Sequence, residues 1–338
     1  MIPNASMVLY PFTFQPLLKE RPWGGRELAR LYHKPLPPGV PCGEAWEIAD
    51  RPEGVSVVAN GPLAGRDLRW LVEHHGPALL GRAAATGGRF PLLVKILDAR
   101  QTLSLQVHPP ATIAATLGGE PKTEMWYVTD ATPEAHLLAG LKRGVTRSAF
   151  EQHLRAGTAG ECVPRSPLRP GDAMFLPSGR LHALGAGSVI FEVQQNSDTT
   201  YRVFDWNRLG LDGRPRALHL AESLASIDFD DYEPALVEAP SLPVPEGTVR
   251  RLVEHPLFTV QEHRVRPRAR LRADAPDRPL ILAVVTGRLS IDDPPSGQQA
   301  QLAPGGFCLV PAACPSAVIS AETDAVCLLA QPGCGPRT

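Results

Sequence analysis

Short apolar runs closed off by proline and glycine recur along the whole chain and limit the folds open to it. Such runs, rich in β-branched and aromatic residues, are typical of strands. The 36 prolines and 30 glycines lie between these runs, where they favour turns. The clearest runs are residues 54–59, 90–97, 102–108, 124–129, 173–177 and 189–195. The sequence therefore predicts a mainly β protein of sandwich or barrel architecture.

Helical patterns are confined to a few short segments. Residues 67–75 and 219–227 have helical spacing of their apolar residues. Ser148 and Glu151 have the spacing of a capping box ahead of an amphipathic stretch, which predicts Ser148 as the N-cap of a helix. We therefore expect short helical insertions in a strand-dominated fold.

An internal repeat narrows the fold further. Residues 170–177 read PGDAMFLP and residues 304–311 read PGGFCLVP, with the first Pro-Gly pair and the last proline at the same spacing. Two copies of one β-unit are predicted, joined near the proline-rich residues 238–247. We place the first copy in a metal-binding domain of residues 1–240 and the second in a domain of residues 241–338.

The two copies differ in the residues that could carry chemistry. Aligning the repeat matches Glu124 with apolar Ile281, and His182 with Ser316. The first copy has polar groups where the second does not. We therefore expect a working first barrel and a degenerate, structural second barrel without metal ligands.

Four polar residues of the first copy form a candidate metal site. Gln106 and His108 occupy alternate positions of one strand and so face the same side. Glu124 opens the next strand, and His182 follows the Pro-Gly strand and its turn. Two imidazoles, a carboxylate and an amide oxygen suit zinc, or iron, manganese or cobalt. A strand histidine is more often a hydrogen-bonded wall residue, but the loss of these groups from the second copy favours a metal.

Seven sequence blocks occur in a fixed order from the N-terminus to about residue 230. They are RPWGG (21–25), GEAWEIAD (43–50), FPLLVKILDA (90–99), QVHP (106–109), KTEMWYV (122–128), LPSGRLHAL (176–184) and FEVQQNSDTTYRVFDWNR (191–208). Together they resemble the signature blocks of type I mannose-6-phosphate isomerases, zinc-dependent members of the cupin superfamily. The chain lacks a long helical insertion, as in the compact bacterial form of the family, and its C-terminal third matches only as a degenerate cupin.

The resemblance implies two cupin jelly-roll barrels and the interconversion of mannose 6-phosphate and fructose 6-phosphate. The family's zinc ligands fall on the same four residues, none of them substituted, which implies one Zn²⁺ per chain with other divalent metals possible. The family's active-site arginine falls on Arg202. Residues 197–200 read Ser-Asp-Thr-Thr where members often read Ser-Asp-Asn-Thr, so we expect altered hydrogen bonding near Thr199.

Aldose–ketose isomerisation moves a proton between C2 and C1 through a cis-enediol. The reaction needs an electrophile, a base and a cation for the phosphate, and zinc meets the first need as a Lewis acid. Glu192, Lys122 and a zinc-bound water are the candidate bases. Arg202 suits a phosphate or the charge of the enediolate, although a surface ion pair with Asp198 or Asp205 is the alternative.

Three further residues are candidate substrate contacts, namely Ser104, Lys95 and Asp198. Lys95 could equally be a strand residue with a buried stem and a solvated amine. Ser104 could hydrogen-bond a neighbouring metal ligand rather than substrate. The sequence leaves these alternatives open.

Charge and composition argue against several classes of partner. A formal net charge of -1 provides no broad attraction to nucleic acid or to anionic membranes. No apolar run approaches the roughly 20 residues that span a bilayer, and the start lacks the pattern of a signal peptide. Six widely separated cysteines predict core thiols rather than disulfides. We expect a cytoplasmic monomer or homodimer that binds a small sugar phosphate.

Two other functions fit the same residues. An iron-dependent cupin oxygenase also uses two histidines and a carboxylate, although Gln106 and the basic residues argue against it. A non-catalytic sugar-phosphate-binding cupin would keep the barrel without the chemistry, although all four candidate ligands and Arg202 are present. The isomerase, with no organic cofactor, is the leading hypothesis.

Overall fold

The computed structural model describes residues 8–83, 85, 87–273 and 277–334. The chain is mainly β, as predicted, and its named strands pair antiparallel. It divides into two compact units, each assembled from segments distant in sequence. The first-barrel unit contains Leu18–Trp46 and Val94–Glu238; the second-barrel unit contains the described parts of Met1–Leu17, Glu47–Leu93 and Ala239–Thr338. The predicted division into domains 1–240 and 241–338 stays a prediction.

The first-barrel unit is built on two antiparallel sheets. The order of strands in the larger sheet is Ala173–Leu176, Glu124–Ala131, Ser188–Gln195, Leu92–Ala99, Leu17–Gly25 and Cys42–Ile48. The order in the smaller sheet is Arg165–Pro167, His136–Ala139, His182–Leu184, Leu105–Val107 and Tyr201–Phe204. Apolar side chains from both sheets form one buried cluster that includes Leu97, Trp126, Leu137, Leu184 and Ile190. Two sheets packed over a shared core form the jelly roll that the sequence predicts.

Short helices connect the strands of this unit: Glu27–Tyr32, Arg147–Ala156, Leu220–Ser226 and the 3₁₀ helix Ala159–Cys162. The prediction that Ser148 is an N-cap is wrong. Thr146 has the extended backbone that an N-cap requires, and its hydroxyl oxygen accepts the backbone N–H of Ala149 at 3.2 Å. Ser148 lies within the first helical turn, and Glu151 pairs with Arg147 at 3.1 Å.

The second-barrel unit has the same two-sheet plan. The larger sheet has the order Leu242–Val244, Gly247–His255, Phe258–Val265, Ala325–Pro332, Leu280–Thr286 and Phe307–Val310. The smaller sheet has the order Arg270–Arg272, Val318–Ala321, Leu289–Asp293 and Gln298–Leu302. Two small ribbons, Phe14–Gln15 with Val57–Val58 and Asp50–Arg51 with Gly54–Val55, and the helix Leu68–Leu80 complete the unit.

Strand register shows which residues of the two barrels correspond. In the first barrel, Leu176 at the end of the Pro-Gly strand lies opposite Glu124. In the second, Val310 holds the same place in the repeat and lies opposite Leu280. The match of Glu124 with Ile281 is therefore wrong by one residue, which in a strand is the difference between two faces. Leu280 is a buried apolar residue, so the second barrel still lacks the carboxylate.

The counterpart of His182 also differs from the sequence alignment. His182 opens the strand His182–Leu184, whereas Ser316 is exposed and lies ahead of the strand Val318–Ala321. The turns that follow the two Pro-Gly strands thus differ in length. Residue counting across such a turn does not identify structural equivalents.

Two further expectations concern the whole chain. Its cysteines are free thiols, buried except for exposed Cys334. Among the described residues, no helix combines the length and the apolar character that crossing a membrane requires.

Candidate active site

A cavity of about 530 Å³ opens in the first-barrel unit. It is lined largely by charged and polar side chains, among them the six predicted catalytic and substrate-contacting residues: Lys95, Ser104, Lys122, Glu192, Asp198 and Arg202. Gln106, one of the predicted metal ligands, also lines it. The residues that the sequence proposed for substrate and metal therefore meet at one place.

The four predicted metal ligands converge beside this cavity. Ligand atoms of His108, Glu124 and His182 lie within 4.8 Å of one another, and all three residues are buried. The Nε2 atom of His182 is 3.2 Å from Glu124 Oε1, and that of His108 is 3.5 Å from Glu124 Oε2. The amide nitrogen of Gln106 is 3.3 Å from His182 Nε2. A half-turn of this amide would present its oxygen to the same point.

The two imidazoles are held in the tautomer that a metal requires. Nδ1 of His108 lies 2.9 Å from the carbonyl oxygen of Thr199, and Nδ1 of His182 lies 2.9 Å from that of Arg180. Because a carbonyl only accepts hydrogen bonds, each Nδ1 carries a proton, and in the neutral imidazole the lone pair is then on Nε2. Burial, with the nearby charge of Lys122, lowers the pKa of His108 to about 3.

The substitution at Thr199 does not disturb this arrangement. Its contact with His108 is made by the backbone carbonyl, which every residue type provides. Its side-chain hydroxyl instead accepts the backbone N–H of Glu120 at 3.0 Å. The departure from the Ser-Asp-Asn-Thr pattern thus leaves the orientation of the imidazole unchanged.

Buried atoms at the point of convergence lack well-formed hydrogen bonds, although Lys122 forms an ion pair with one of them. These atoms are His108 Nε2 and both carboxylate oxygens of Glu124. Leaving such groups unsatisfied costs about 1–3 kcal/mol each, more for a charge. Burial raises the pKa of Glu124, but Lys122, with its Nζ 2.9 Å from Oε2, holds it well below the usual value. A charged carboxylate with two neutral imidazoles and an amide is a donor set that fits a divalent metal such as zinc.

A second group of charges surrounds Lys95. Its Nζ lies 3.3 Å from Glu192 Oε2, 3.8 Å from Asp198 Oδ1 and 3.9 Å from Glu44 Oε2. Burial lowers the pKa of Lys95, but these carboxylates outweigh burial and raise it, so the amine stays charged. Lys95 is 3% exposed, and the alternative of a solvated amine on a buried stem is therefore wrong.

Glu192 is fixed by two neighbours. Its Oε1 accepts the indole N–H of Trp126 at 2.8 Å, while Oε2 faces Lys95 and has no hydrogen bond of its own. Burial raises the pKa of Glu192, and the charge of Lys95 opposes this rise. The carboxylate is thus held by the indole at one oxygen and by the ammonium group of Lys95, 3.3 Å away, at the other.

The second barrel lacks this carboxylate as well as the metal ligand. Glu192 lies opposite Trp126, and the corresponding pair in the second barrel is Leu329 opposite Leu282. At the position that corresponds to Glu192, the second barrel therefore has Leu329. Both the candidate base and the candidate metal carboxylate are confined to the first barrel.

Sequence reasoning missed Glu44 and Arg21. The Glu44 carboxylate accepts hydrogen bonds from Arg21 Nε and Trp46 Nε1, each at 2.7 Å. Burial raises the pKa of Glu44, but Lys95 and Arg21 outweigh burial and lower it to about 2. Glu44 lies in the strand Cys42–Ile48, which is buried along its whole length. The signal that could have identified Glu44 is an acidic residue inside a strand that is otherwise apolar enough to be buried.

Arg202 lies on the strand next to Gln106, a predicted metal ligand. It is opposite Gln106 in the sheet register, and its Nη1 donates to the carbonyl oxygen of Ala217 at 2.7 Å. Burial, with the positive charge of Arg216, lowers the pKa of Arg202. Since Arg202 lines the cavity, it presents a cation to any ligand there.

The two acids considered as surface partners of Arg202 are engaged with other cations. Asp198 lies beside Lys95, as described above. Asp205 is buried and binds two arginines, with Arg208 Nη2 and Arg216 Nη2 each 2.6 Å from its Oδ1. Of these two, Arg216 also lines the cavity.

Ser104 is 4% exposed, and it lines the cavity together with Gln106, a predicted metal ligand. Its hydroxyl donates to Gln106 Oε1 at 3.4 Å. The geometry is compatible with both roles considered for Ser104, as a substrate contact and as a support for Gln106.

An ion pair fixes the turn that leads into His182. Arg180 binds Asp231 through two hydrogen bonds of 2.8 Å, and both side chains are 16% exposed. The backbone carbonyl of Arg180 accepts a hydrogen bond from Nδ1 of His182. Asp231→Ala should lower the free energy of unfolding by about 2 kcal/mol, because it leaves the mostly buried guanidinium of Arg180 without its ion-pair partner. It should also weaken metal binding about tenfold, because His182 loses its support. Urea unfolding and metal titration measure the two effects.

The matched control is Asp130→Ala, which removes the exposed pair with Arg30. This variant should change the free energy of unfolding by less than about 1 kcal/mol. Equal effects of the Asp231 and Asp130 substitutions on both quantities would contradict the assigned role of the Arg180 pair.

Known proteins resemble this chain over most of its length. Residues 12–137 match the family model for phosphomannose isomerase type I, catalytic domain. The chain is 36% identical over 295 residues to the mannose-6-phosphate isomerase ManA of Bacillus subtilis, which covers 83% of this chain and 87% of that protein. It is 37% identical over 279 residues to the mannose-6-phosphate isomerase of Streptococcus mutans, covering 82% and 85% of the two chains.

The fold agrees as well. A crystal structure of the mannose 6-phosphate isomerase from Bacillus subtilis superimposes with a TM-score of 0.86 and 30% identity, over 95% of this chain and 99% of that one. Sequence and fold are therefore matched over most of the length of these relatives. This chain belongs to the type I mannose-6-phosphate isomerase family.

Proposed function

We propose that this protein is a zinc-dependent isomerase that interconverts mannose 6-phosphate and fructose 6-phosphate through a cis-enediol. The observation that carries the proposal is the convergence of the side chains of His108, Glu124 and His182. Their buried nitrogen and oxygen atoms could bind a metal and lack well-formed hydrogen bonds. They lie beside a cavity lined by carboxylates and several cations. The proposed substrate is the sugar phosphate in the names of the relatives. Its phosphate group could bind the cations that line the cavity.

Zinc would be held by Gln106, His108, Glu124 and His182, and it would supply a Lewis acid for the oxygens at C1 and C2 of the sugar. Two of these ligands are neutral imidazoles and one is an anion, so the site keeps a net positive charge when a divalent cation is bound. Such a charge favours the negative oxygen that develops when a proton leaves C2.

Glu192 is the base in this proposal. Its Oε2 lies 3.3 Å from Lys95 Nζ, and both residues line the cavity. The carboxylate takes the proton from one carbon and returns it to the next, which needs a group fixed between both positions. Burial raises the pKa of Glu192, the charge of Lys95 opposes this rise, and the Trp126 indole fixes the orientation of the carboxylate.

Lys122 and Asp198 have supporting roles in the proposal. Lys122 lies 2.9 Å from Glu124 and can donate to a substrate hydroxyl next to the metal. Asp198 is 32% exposed at its side chain, close to Lys95, and can accept a hydroxyl of the sugar. Ser104, which also lines the cavity, can donate to the same hydroxyl-rich ligand.

The phosphate is assigned to Arg202, with Arg216 beside it in the cavity lining. Arg202→Ala should leave metal content unchanged and lower kcat/KM for mannose 6-phosphate about 10²-fold or more, because a charge-assisted contact to the phosphate is lost. Metal analysis and steady-state kinetics test this. Arg202→Lys, which keeps the charge but not the bidentate geometry, should lie between the wild type and alanine. Loss of metal from Arg202→Ala would contradict the assignment.

The proposed activity is tested by NMR in deuterated water with purified, zinc-loaded protein and several aldose phosphates. The proposal predicts conversion of mannose 6-phosphate to fructose 6-phosphate, with deuterium appearing at C1 or C2 when the base exchanges its proton. Binding of mannose 6-phosphate without conversion or exchange would instead identify a sugar-phosphate sensor.

A further inference from the structure

The first-barrel unit has a second cavity, of about 660 Å³, that shares no lining residue with the catalytic cavity. Three cationic side chains, a histidine and a tryptophan shape it: Lys142, Arg165, Arg208, His136 and Trp206. No carboxylate is among the described residues that line it. In a chain with a formal net charge of -1, such a local excess of positive charge favours an anionic ligand.

The cations lie at two depths. Lys142 and Arg165 are exposed, and Arg165 Nη2 is 3.0 Å from His136 Nδ1. Arg208 lies deeper, with its side chain 12% exposed. Its Nη1 donates to the carbonyl of Thr102 at 2.8 Å, whereas its buried Nε has no hydrogen-bond partner in the described chain. An anion entering this cavity would meet the exposed cations at the mouth and, inside, the guanidinium of Arg208, whose Nη2 is paired with Asp205 Oδ1 at 2.6 Å.

Trp206 is held in a strained backbone at the wall of the cavity. Trp206 and Asn207 have φ values of 57° and 54°, a left-handed conformation that bulky side chains rarely adopt. The indole N–H donates to the carbonyl of Leu103 at 2.7 Å, and the ring lies so close to Gly160 that a Cβ there would approach it to 2.7 Å. Strain of this kind persists where surrounding contacts impose it, often at binding sites.

We propose that this second cavity is an anion site that binds a small phosphomonoester, separate from the catalytic cavity. The cations supply charge-assisted hydrogen bonds to the phosphate group. The volume exceeds the need of a phosphate ion and accommodates an organic part, for which the Trp206 ring provides an apolar wall. The chemistry that selects the ligand is a dianionic phosphate on a compact ring-bearing molecule.

The second cavity is connected to the catalytic cavity through Asp205. This carboxylate binds Arg208, which lines the second cavity, and Arg216, which lines the catalytic one. Arg208 and Trp206 also hold the carbonyls of residues 102–103, directly ahead of Ser104 and the metal-ligand strand. A ligand that binds Arg208 therefore changes the surroundings of the substrate site, and the two sites are coupled.

The test uses the zinc-loaded full chain with inorganic phosphate and AMP as probes. Lys142→Glu with Arg165→Glu reverses both charges at the mouth, and neither residue belongs to the catalytic machinery. Arg251→Glu with Arg270→Glu, at exposed positions of the second-barrel unit, makes the same change in net charge and serves as the control. Calorimetry measures binding, and steady-state kinetics measures the type of inhibition.

The wild type and the control should bind AMP at a site that the Lys142/Arg165 variant loses, with affinity reduced about tenfold or more. Inhibition by AMP should be mixed in the wild type and purely competitive in the variant, since only the catalytic cavity then remains. AMP binding at least tenfold tighter than phosphate would show that the organic part contributes; equal binding would identify free phosphate as the ligand.

Two results would overturn the proposal. The first is unchanged probe binding, within about twofold, in the Lys142/Arg165 variant relative to the control. The second is competitive inhibition alone in the wild type. If the charge-reversal variant does not fold, Lys142→Gln with Arg165→Gln replaces it, with circular dichroism as the check on folding. Because binding is measured without turnover, failure of this site and failure of the proposed isomerase activity are distinguishable.

Discussion

His182→Ala should abolish metal binding and turnover together. His182 has a buried Nε2 that lies 3.2 Å from Glu124 Oε1, and alanine has no atom that could bind the metal in its place. Loss of one ligand from a four-ligand site should weaken metal binding about 10²-fold or more, since even supporting residues of such sites contribute 10–100-fold. Metal titration, followed by turnover of mannose 6-phosphate at matched metal concentration, measures both effects.

The control for this variant is His153→Ala, on the helix Arg147–Ala156, where the side chain is 40% exposed. It should keep metal content and activity near the wild-type values. Full turnover by metal-free His182→Ala protein would contradict the proposed metal centre.

Glu192→Gln should lower kcat about 10²–10⁴-fold while the metal stays bound. Glutamine keeps the shape of the side chain and can still accept the Trp126 N–H, so the local packing survives. It cannot take a proton from carbon, and it no longer balances the charge of Lys95. The loss should appear in kcat more than in KM, because the proton transfer occurs after substrate has bound.

Lys122→Gln separates this proposal from the competing base. If Glu192 is the base, deuterium exchange at C2 should persist in Lys122→Gln at a reduced rate and should be lost in Glu192→Gln. The opposite pattern would assign the base to Lys122. Exchange at the wild-type rate in Glu192→Gln would remove Glu192 from the chemistry altogether.

Much of the fold and of the metal centre could be predicted from the sequence because both depend on local patterns. Alternation with a period of two identified Gln106 and His108 as neighbours on one face of a strand. The repeat then drew attention to Glu124 and His182 in the first copy. The family resemblance, confirmed by the comparisons, led to the same four residues.

What the sequence did not predict depends on contacts between distant residues. Glu44 matters because Arg21, Trp46 and Lys95 surround it, and no local pattern predicts such a buried network. Leu280 was missed by one residue because the irregularity in strand pairing, which skips Thr129 in the first barrel and Val285 in the second, cannot be read from the sequence. The location in the cytoplasm, the oligomeric state and the absence of nucleic-acid or membrane partners stay predictions.

The central claim is that this site isomerises a sugar phosphate with a metal bound by Gln106, His108, Glu124 and His182. The most direct test removes the metal with a chelator and restores it as zinc under anaerobic conditions, while NMR follows mannose 6-phosphate and fructose 6-phosphate. The account predicts that conversion stops without metal and returns with zinc in the absence of oxygen. Conversion that continues after complete removal of metal, or that returns only with iron and oxygen, would contradict it.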